Sequence, residues 1–223
     1  DFGAVSTRLT STIASFGRQS TAWRAIICGQ DAPDGLKQDP RITFLPFEAS
    51  VTGNDKWAKL AHLVDHLSAL EVDGYVWPFD ADDVLATETL ATFATERSVN
   101  GYLVARGIVQ DVGRNAFAEA RPQTLLAPGQ KAFWKLCGSC AAFRYSGLEA
   151  EKRFLAALTQ HEHRMFPHLA RLAGRPLTAL SDASVLYSLN HGDNFGARRG
   201  RVSFKQRFVE RFEISDTKTI AVL

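Results

Sequence analysis

Apolar residues recur at helical spacing from Ser6 to Phe16 (Leu9, Ile13, Phe16), with Ser6 able to cap the start and Gly17 to close the end, so the first element is predicted to be a helix. The period then changes. Trp23–Cys28 is a short apolar run cut by Gly29 and the turn-forming Asp31-Ala-Pro-Asp34, which predicts a buried strand ending in a loop. Arg41–Phe47 predicts a second strand. Asn54 or Asp55 can cap a long helix whose Trp57, Leu60, Leu63, Val64, Leu67 and Leu70 share one face, ended near Asp73-Gly74. Tyr75–Phe79 is another apolar strand, running straight into Asp80-Ala81-Asp82-Asp83, and Asp83 is placed to cap a helix carrying Val84, Leu85, Leu90 and Phe93. Helix and strand thus alternate over residues 1–100, the pattern of an α/β fold with a mostly parallel sheet flanked by helices.

Beyond Asn100 the texture shifts. Gly101–Val109 predicts a glycine-containing strand, and after a polar loop the Ala132–Tyr145 stretch suggests mixed or antiparallel strands. A helix is expected from about Leu148 to Gly174, interrupted near Pro167, and Ser184–Leu189 gives a last strand. The chain from 198 onward is a basic tail, with Arg198, Arg199, Arg201, Lys205, Arg207 and Arg211 interleaved with Val202, Phe204, Phe208 and Phe212.

Composition narrows the class. The 223 residues are 45% hydrophobic and 22% charged, as expected of a folded soluble domain with a sizeable core. With 26 basic and 24 acidic residues the formal net charge is only +2, too balanced for a general nucleic-acid binder. No apolar run reaches the roughly 18 to 20 residues that cross a bilayer, and no charged-then-apolar start resembles a signal peptide, so a cytoplasmic location is the default expectation. Three cysteines (Cys28, Cys137, Cys140) make no disulfide framework and are expected as reduced thiols.

The strongest chemical signal is Phe79-Asp80-Ala81-Asp82-Asp83-Val84, three carboxylates at the carboxyl end of an apolar strand, where open α/β sheets bind ligands. Carboxylates so close are costly to keep ionised unless a cation compensates, and hard divalent ions prefer such oxygens. One expectation is therefore a metal site bridging a diphosphate; the other is that Asp83 caps a helix while Asp80 and Asp82 are turn residues. His161-Glu162-His163 is a second polar cluster. Cys137-Gly138-Ser139-Cys140 has the spacing of a redox pair but lies in an apolar, strand-like run; Gly138 and Ser139 are expected to shape the acceptor side of a cleft, with the cysteines as small buried residues.

The order of these pieces resembles the family 2 nucleotide-sugar glycosyltransferases with the GT-A fold. Ser15 and Gln19 fill the family's Ser-Leu-x-x-Gln pattern with Phe16 for the leucine, then come the strand Trp23–Cys28, the Gln30–Asp34 loop, the strand at Arg41-Ile-Thr-Phe and Asp80-Ala-Asp-Asp83. The resemblance covers residues 1–100 well and 130–195 loosely. It implies a GT-A-type, Rossmann-like domain over 1–197, with 1–100 as the nucleotide-binding half and 101–197 as the acceptor half. Two departures stand out: no base-holding first strand precedes Ser6, so residues before Asp1 are expected, and the loop after Cys28 has Gly29-Gln30-Asp31 where two adjacent aspartates are usual.

Carried over residue by residue, the resemblance implies that Asp80 approaches the donor ribose or the ion and that Asp82 ligates Mg²⁺ or Mn²⁺. Asp31 would contact the base, Lys56 and Lys59 (with Asp55) the nucleotide, His191 the ion or a phosphate, and Glu162 would be the base that deprotonates the acceptor hydroxyl. The implied activity is metal-dependent transfer from a nucleoside-diphosphate-sugar, a UDP-sugar first among the donors, to a hydroxyl of a glycan or lipid-linked acceptor. Two other readings are a haloacid-dehalogenase-like phosphatase using Asp80 and Asp82, whose Asp-x-Asp-x-Val signature this segment also satisfies, and a non-catalytic nucleotide-sugar-binding domain. The basic tail could lie peripherally on anionic lipid at the inner membrane face, pack on the domain or mediate a dimer.

Overall fold

A computed structural model describes residues 2–32, 39–49, 51, 55–190 and 204–215. Helix α1 (Phe2–Gly17) starts four residues before the expected cap. It stays helical despite its hydroxyl content because Thr7, Thr10, Ser11 and Thr12 each donate to the carbonyl four residues back, which turns competing side chains inward on the helix's own backbone. Strands β1 (Ala25–Gly29) and β2 (Ile42–Pro46) pair in parallel, and α2 (Lys56–Ser68) buries Val64 and Leu67. Asp55 precedes α2 without capping it by its side chain, and Asn54 lies outside the described residues.

The next segment departs from expectation. After β3 (Gly74–Val76), Val84 and Leu85 do not open a helix; they form β4 (Val84–Leu85), antiparallel to β10 (Val185–Leu189), and α3 begins only at Thr89–Glu96. Long-range pairing thus overrides a helical pattern too short to hold on its own. The predicted strand Gly101–Val109 is two strands in two sheets, β5 (Gly101–Leu103) and β6 (Gly107–Asp111). Gly101 makes the first possible: its φ is +117°, and a Cβ there would run into the Ala142 carbonyl of β8 (Ala141–Tyr145).

Strand β7 (Ala116–Ala120), helices α4 (Glu149–Leu158) and α5 (Phe166–Leu172), β9 (Thr178–Ala179) and α6 (Phe204–Arg211) complete the described elements. The expected interruption at Pro167 falls earlier: Pro167 sits in the first turn of α5, where its missing N–H is harmless, and the chain breaks instead between α4 and a 3₁₀ turn at His163–Met165.

Two four-stranded sheets result, ordered β4-β10-β6-β7 and β3-β8-β5-β9, beside the β1-β2 pair. Parallel pairs are β1–β2, β10–β6 and β5–β9; β4–β10, β3–β8, β5–β8 and β6–β7 are antiparallel. The fold is α/β with mixed sheets, and the expected mostly parallel sheet is not what forms. Among the antiparallel pairs β6–β7 is joined by a short connection, whereas β3–β8, β5–β8 and β4–β10 bring together strands far apart in the chain.

Two apolar cores support this. One gathers β6, β7 and β10 side chains with Phe93, Tyr102, Phe133 and, from α6, Phe208 and Val209. The other packs α2, α4 and α5 on β8 through Val64, Leu67, Phe143, Tyr145, Leu155, Leu158 and Phe166. The apolar face of α6 is therefore spent on the domain itself. Among the described residues, no helix is long and apolar enough to cross a membrane.

Candidate functional site

The acidic turn leaves the end of β3 and returns into β4, so both of its limbs are tied to sheets. Helix α1 fixes the return limb through a polar face. Thr12 Oγ1 donates to the Asp83 carbonyl at 2.7 Å, the Leu85 N–H donates to Ser15 Oγ at 3.0 Å, and Gln19 bridges the Ala86 carbonyl at 2.8 Å and the Leu90 N–H at 3.0 Å. Thr12, Ser15 and Gln19 are all buried, so these bonds form away from water. The Ser15 and Gln19 positions singled out in the sequence thus hold the backbone that follows the aspartates.

The three carboxylates have separate environments. Asp83 is fully buried; its Oδ2 accepts the Ser139 hydroxyl at 2.6 Å and the Cys137 thiol at 3.0 Å, while Oδ1 has no partner. Burial, reinforced by the charges of Asp80 and Asp82, pushes its pKa well above the usual carboxylate range and so favours the protonated form. It is not the expected helix cap: Glu88 stands before α3. Asp80 is clasped by Lys56 from the start of α2, whose ammonium lies 2.6 Å and 2.8 Å from the two carboxylate oxygens, and the Asp80 N–H donates to Ser139 Oγ at 2.8 Å. Burial opposes the charge on Lys56, but the Asp80 charge and hydrogen bonds overcome it and hold the ammonium above its ordinary value. Asp82 is half-buried on the outer side of the turn.

Ser139 is the hinge of the cluster, since one hydroxyl serves Asp80 and Asp83 together. Beside it, a Cβ on Gly138 would stand 2.6 Å from Asp80 Oδ2 and 2.7 Å from Lys56 Nζ, so the pair packs against bare backbone. Cys137 and Cys140 are buried free thiols whose pKa burial pushes upward, the opposite of a nucleophilic or redox-active pair.

Three more groups border the turn; His163 belongs to the His161-Glu162-His163 cluster singled out in the sequence, whereas Lys205 and Tyr187 were not expected as site residues. Lys205 of α6 donates to the Tyr187 hydroxyl of β10 at 2.8 Å. Burial lowers the Lys205 ammonium below its usual range, while the neighbouring Cys137, Asp83 and Asp80 pull it back up. His163, in the 3₁₀ turn, is pushed down to about 3 by burial and by the nearby Lys56, Lys205 and Arg164, so it stands neutral, with Nε2 buried and unpartnered. A basic tail was legible in the sequence, but nothing in it showed which lysine folds back onto the aspartates.

The remaining expected residues scatter. Lys59 pairs with Asp55 at 2.8 Å and with Gln30 at 2.9 Å, near the end of β1, and Asp31 is exposed just beyond that strand. Lys56 and Lys59 therefore serve two different clusters. Glu162 is exposed at the entry to the 3₁₀ turn, adjoining His163 in the chain. His191 lies outside the described residues.

Among the described residues no group of three or more His, Cys, Asp and Glu side chains could hold a metal ion. A Mg²⁺-type ion that arrives with a diphosphate needs only one or two carboxylates, because phosphate oxygens and water complete its shell. Asp82, with Asp80 beside it, fits that smaller requirement; among the described residues there is no preformed cage. No family model matches this chain, and no curated protein matches it.

Proposed function

We propose that the acidic turn binds a nucleoside-diphosphate-sugar and that the protein transfers the sugar to a hydroxyl acceptor. One observation carries this reading: a turn of three aspartates has two half-buried lysines from distant elements beside it, Lys56 of α2 and Lys205 of α6. A charged diphosphate with its cation calls for both signs within one small volume, the carboxylates toward the cation and the ammonium groups toward phosphate oxygens. Asp82 would hold a Mg²⁺ or Mn²⁺ ion, with Asp80 at the ribose or the ion. Such an ion neutralises charge on a leaving diphosphate. Asp83 is not a ligand in this reading; kept neutral by burial, it anchors Ser139 and so sets the turn's shape. Glu162, at the rim, is the candidate base for the acceptor hydroxyl, and Asp31 and Lys59 the candidates for base and ribose contact. The acceptor, a glycan or a lipid-linked one, would approach from the side of residues 101–197.

The test is a thermal-shift panel of UDP, GDP, dTDP, CDP and ADP, each with and without Mn²⁺, since a ligand that binds only the native state raises the melting temperature. A shift that needs one nucleotide and the metal together supports the transferase and names its donor class. No shift with any pair rejects the donor site.

A further inference from the structure

We propose that the groove between the Lys131–Lys135 segment, the 3₁₀ turn and α6 is a subsite for an anionic saccharide, taken up as the acceptor; this rests on the transferase reading above. The groove has a volume of about 490 Å³, within the range of small-molecule sites. Its rim carries Lys131, Lys135 and Arg164, its apolar wall is made by Trp134, Met165 and Phe204, and among the described residues no carboxylate lines it.

The aromatic groups are fixed by neighbours. His168 meets the Trp134 ring edge-on at 5.6 Å between centroids, the Lys135 ammonium lies 5.1 Å from the indole centroid, and the Arg164 guanidinium lies 5.6 Å from the centre of Phe204. A pyranose presents an apolar C–H face that packs on an aromatic ring, and a carboxylate or phosphate on that ring would meet the guanidinium and ammonium groups in charge-assisted hydrogen bonds. A neutral sugar would satisfy the wall and leave the rim unmatched.

Position ties the groove to the aspartates. Two of its residues adjoin the groups that border the acidic turn: Arg164 follows His163, and Phe204 precedes Lys205, which feels the charges of Asp83 and Asp80. A bound saccharide would thus lie against the same two elements that carry His163 and Lys205, with Glu162 at the entry to that same 3₁₀ turn. A short groove with one apolar wall also suits one or two sugar rings better than a nucleic-acid strand, which needs a continued basic track.

The experiment titrates the full chain, by tryptophan fluorescence, with trigalacturonate, a phosphorylated trisaccharide, neutral maltotriose and an oligothymidylate. Expected is saturable binding of at least one acidic sugar, at least tenfold tighter than maltotriose. The Lys131→Ala/Lys135→Ala double variant should weaken it at least tenfold, Trp134→Phe should remove most of the fluorescence change, and the nucleotide–Mn²⁺ thermal shift should persist in both. Equal affinity for maltotriose, indifference to the double variant, or tighter binding of the oligothymidylate overturns the proposal, as does failure of both acidic sugars. Because the thermal shift is read on the same samples, loss of the donor site and loss of this subsite give different patterns.

Discussion

Asp82 and Asp83 are adjacent in the chain and opposite in circumstance. Asp83 is buried and bonded to Ser139 and Cys137, on a limb of the turn whose backbone α1 clamps; Asp82 is half-buried, and Asp80 is paired with Lys56. A carboxyl group shut away from water is poorly placed to bind a ligand, whereas one with partial exposure stays accessible. In the proposed reading the inner half of the turn is architecture and the outer half chemistry, and each can be removed separately.

The largest effect should come from the outer half. Asp82→Asn is expected to abolish the Mn²⁺-dependent nucleotide shift and to lower transfer at least about a hundredfold, the scale of losing one key electrostatic group. The melting temperature of the free protein should stay within about 2 °C of wild type, as for other substitutions away from packed features. An active Asp82→Asn enzyme would remove the core of the proposed function. Ser139→Ala attacks the inner half: Asp83 loses its hydroxyl donor and the Asp80 N–H loses its acceptor. Unpartnered buried groups of this kind cost about 1–3 kcal/mol, so the melting temperature should fall by roughly 3–9 °C. A Ser139→Ala protein as stable as wild type would show that the post is not structural.

Between these lies Gly138→Ala. The added methyl meets the ends of two side chains rather than backbone, so Lys56 and Asp80 can move aside at little cost to the fold. What changes is their mutual geometry, and we expect nucleotide affinity to drop about tenfold, close to 1.4 kcal/mol, with a melting temperature almost unchanged. Calorimetric titration of the nucleotide on wild type and variant checks this; equal affinities would mean that the clasp plays no part in binding.

Much of the first half was legible because it is written in local signals. The strand at β1, the helix at α2 and the acidic turn itself each follow from periodicity and turn residues nearby in sequence. Ser15 and Gln19 were visible as a pattern, and the structure shows their physical task, holding the backbone after the aspartates. Failures occurred where distant pairing decides. Val84 and Leu85 look helical until β10, a hundred residues later, supplies a strand partner. Lys205 looked like one charge in a basic tail, and only the burial of Phe208 and Val209 brings it to Tyr187 and the turn. Lys56 and Lys59 are one helical turn's neighbours in sequence, yet their bonds diverge because Asp55 and Gln30 capture one and Asp80 the other.

The smallest effect sharpens the comparison through pH. Asp83 has its pKa raised in the fold above the ordinary 3.8, so above that pH the unfolded chain releases a proton that the native state keeps. Its stabilising contribution is therefore complete below 3.8 and declines as pH rises toward the native value. His163 behaves oppositely: its value falls from 6.5 to about 3, so the unfolded chain takes up a proton below 6.5 that the native state refuses, and stability is complete above 6.5 and lost as pH falls toward 3. Asp83→Asn, which resembles the protonated acid, should flatten the decline on the alkaline side, and His163→Gln should flatten the loss on the acid side, each by roughly 2–4 °C in melting temperature. Melting curves from pH 4 to 8 on both variants read this directly. Should Asp83→Asn leave the alkaline limb as steep as in wild type, Asp83 is ionised in the fold, and the inner half of the turn would then present the same charge as the outer.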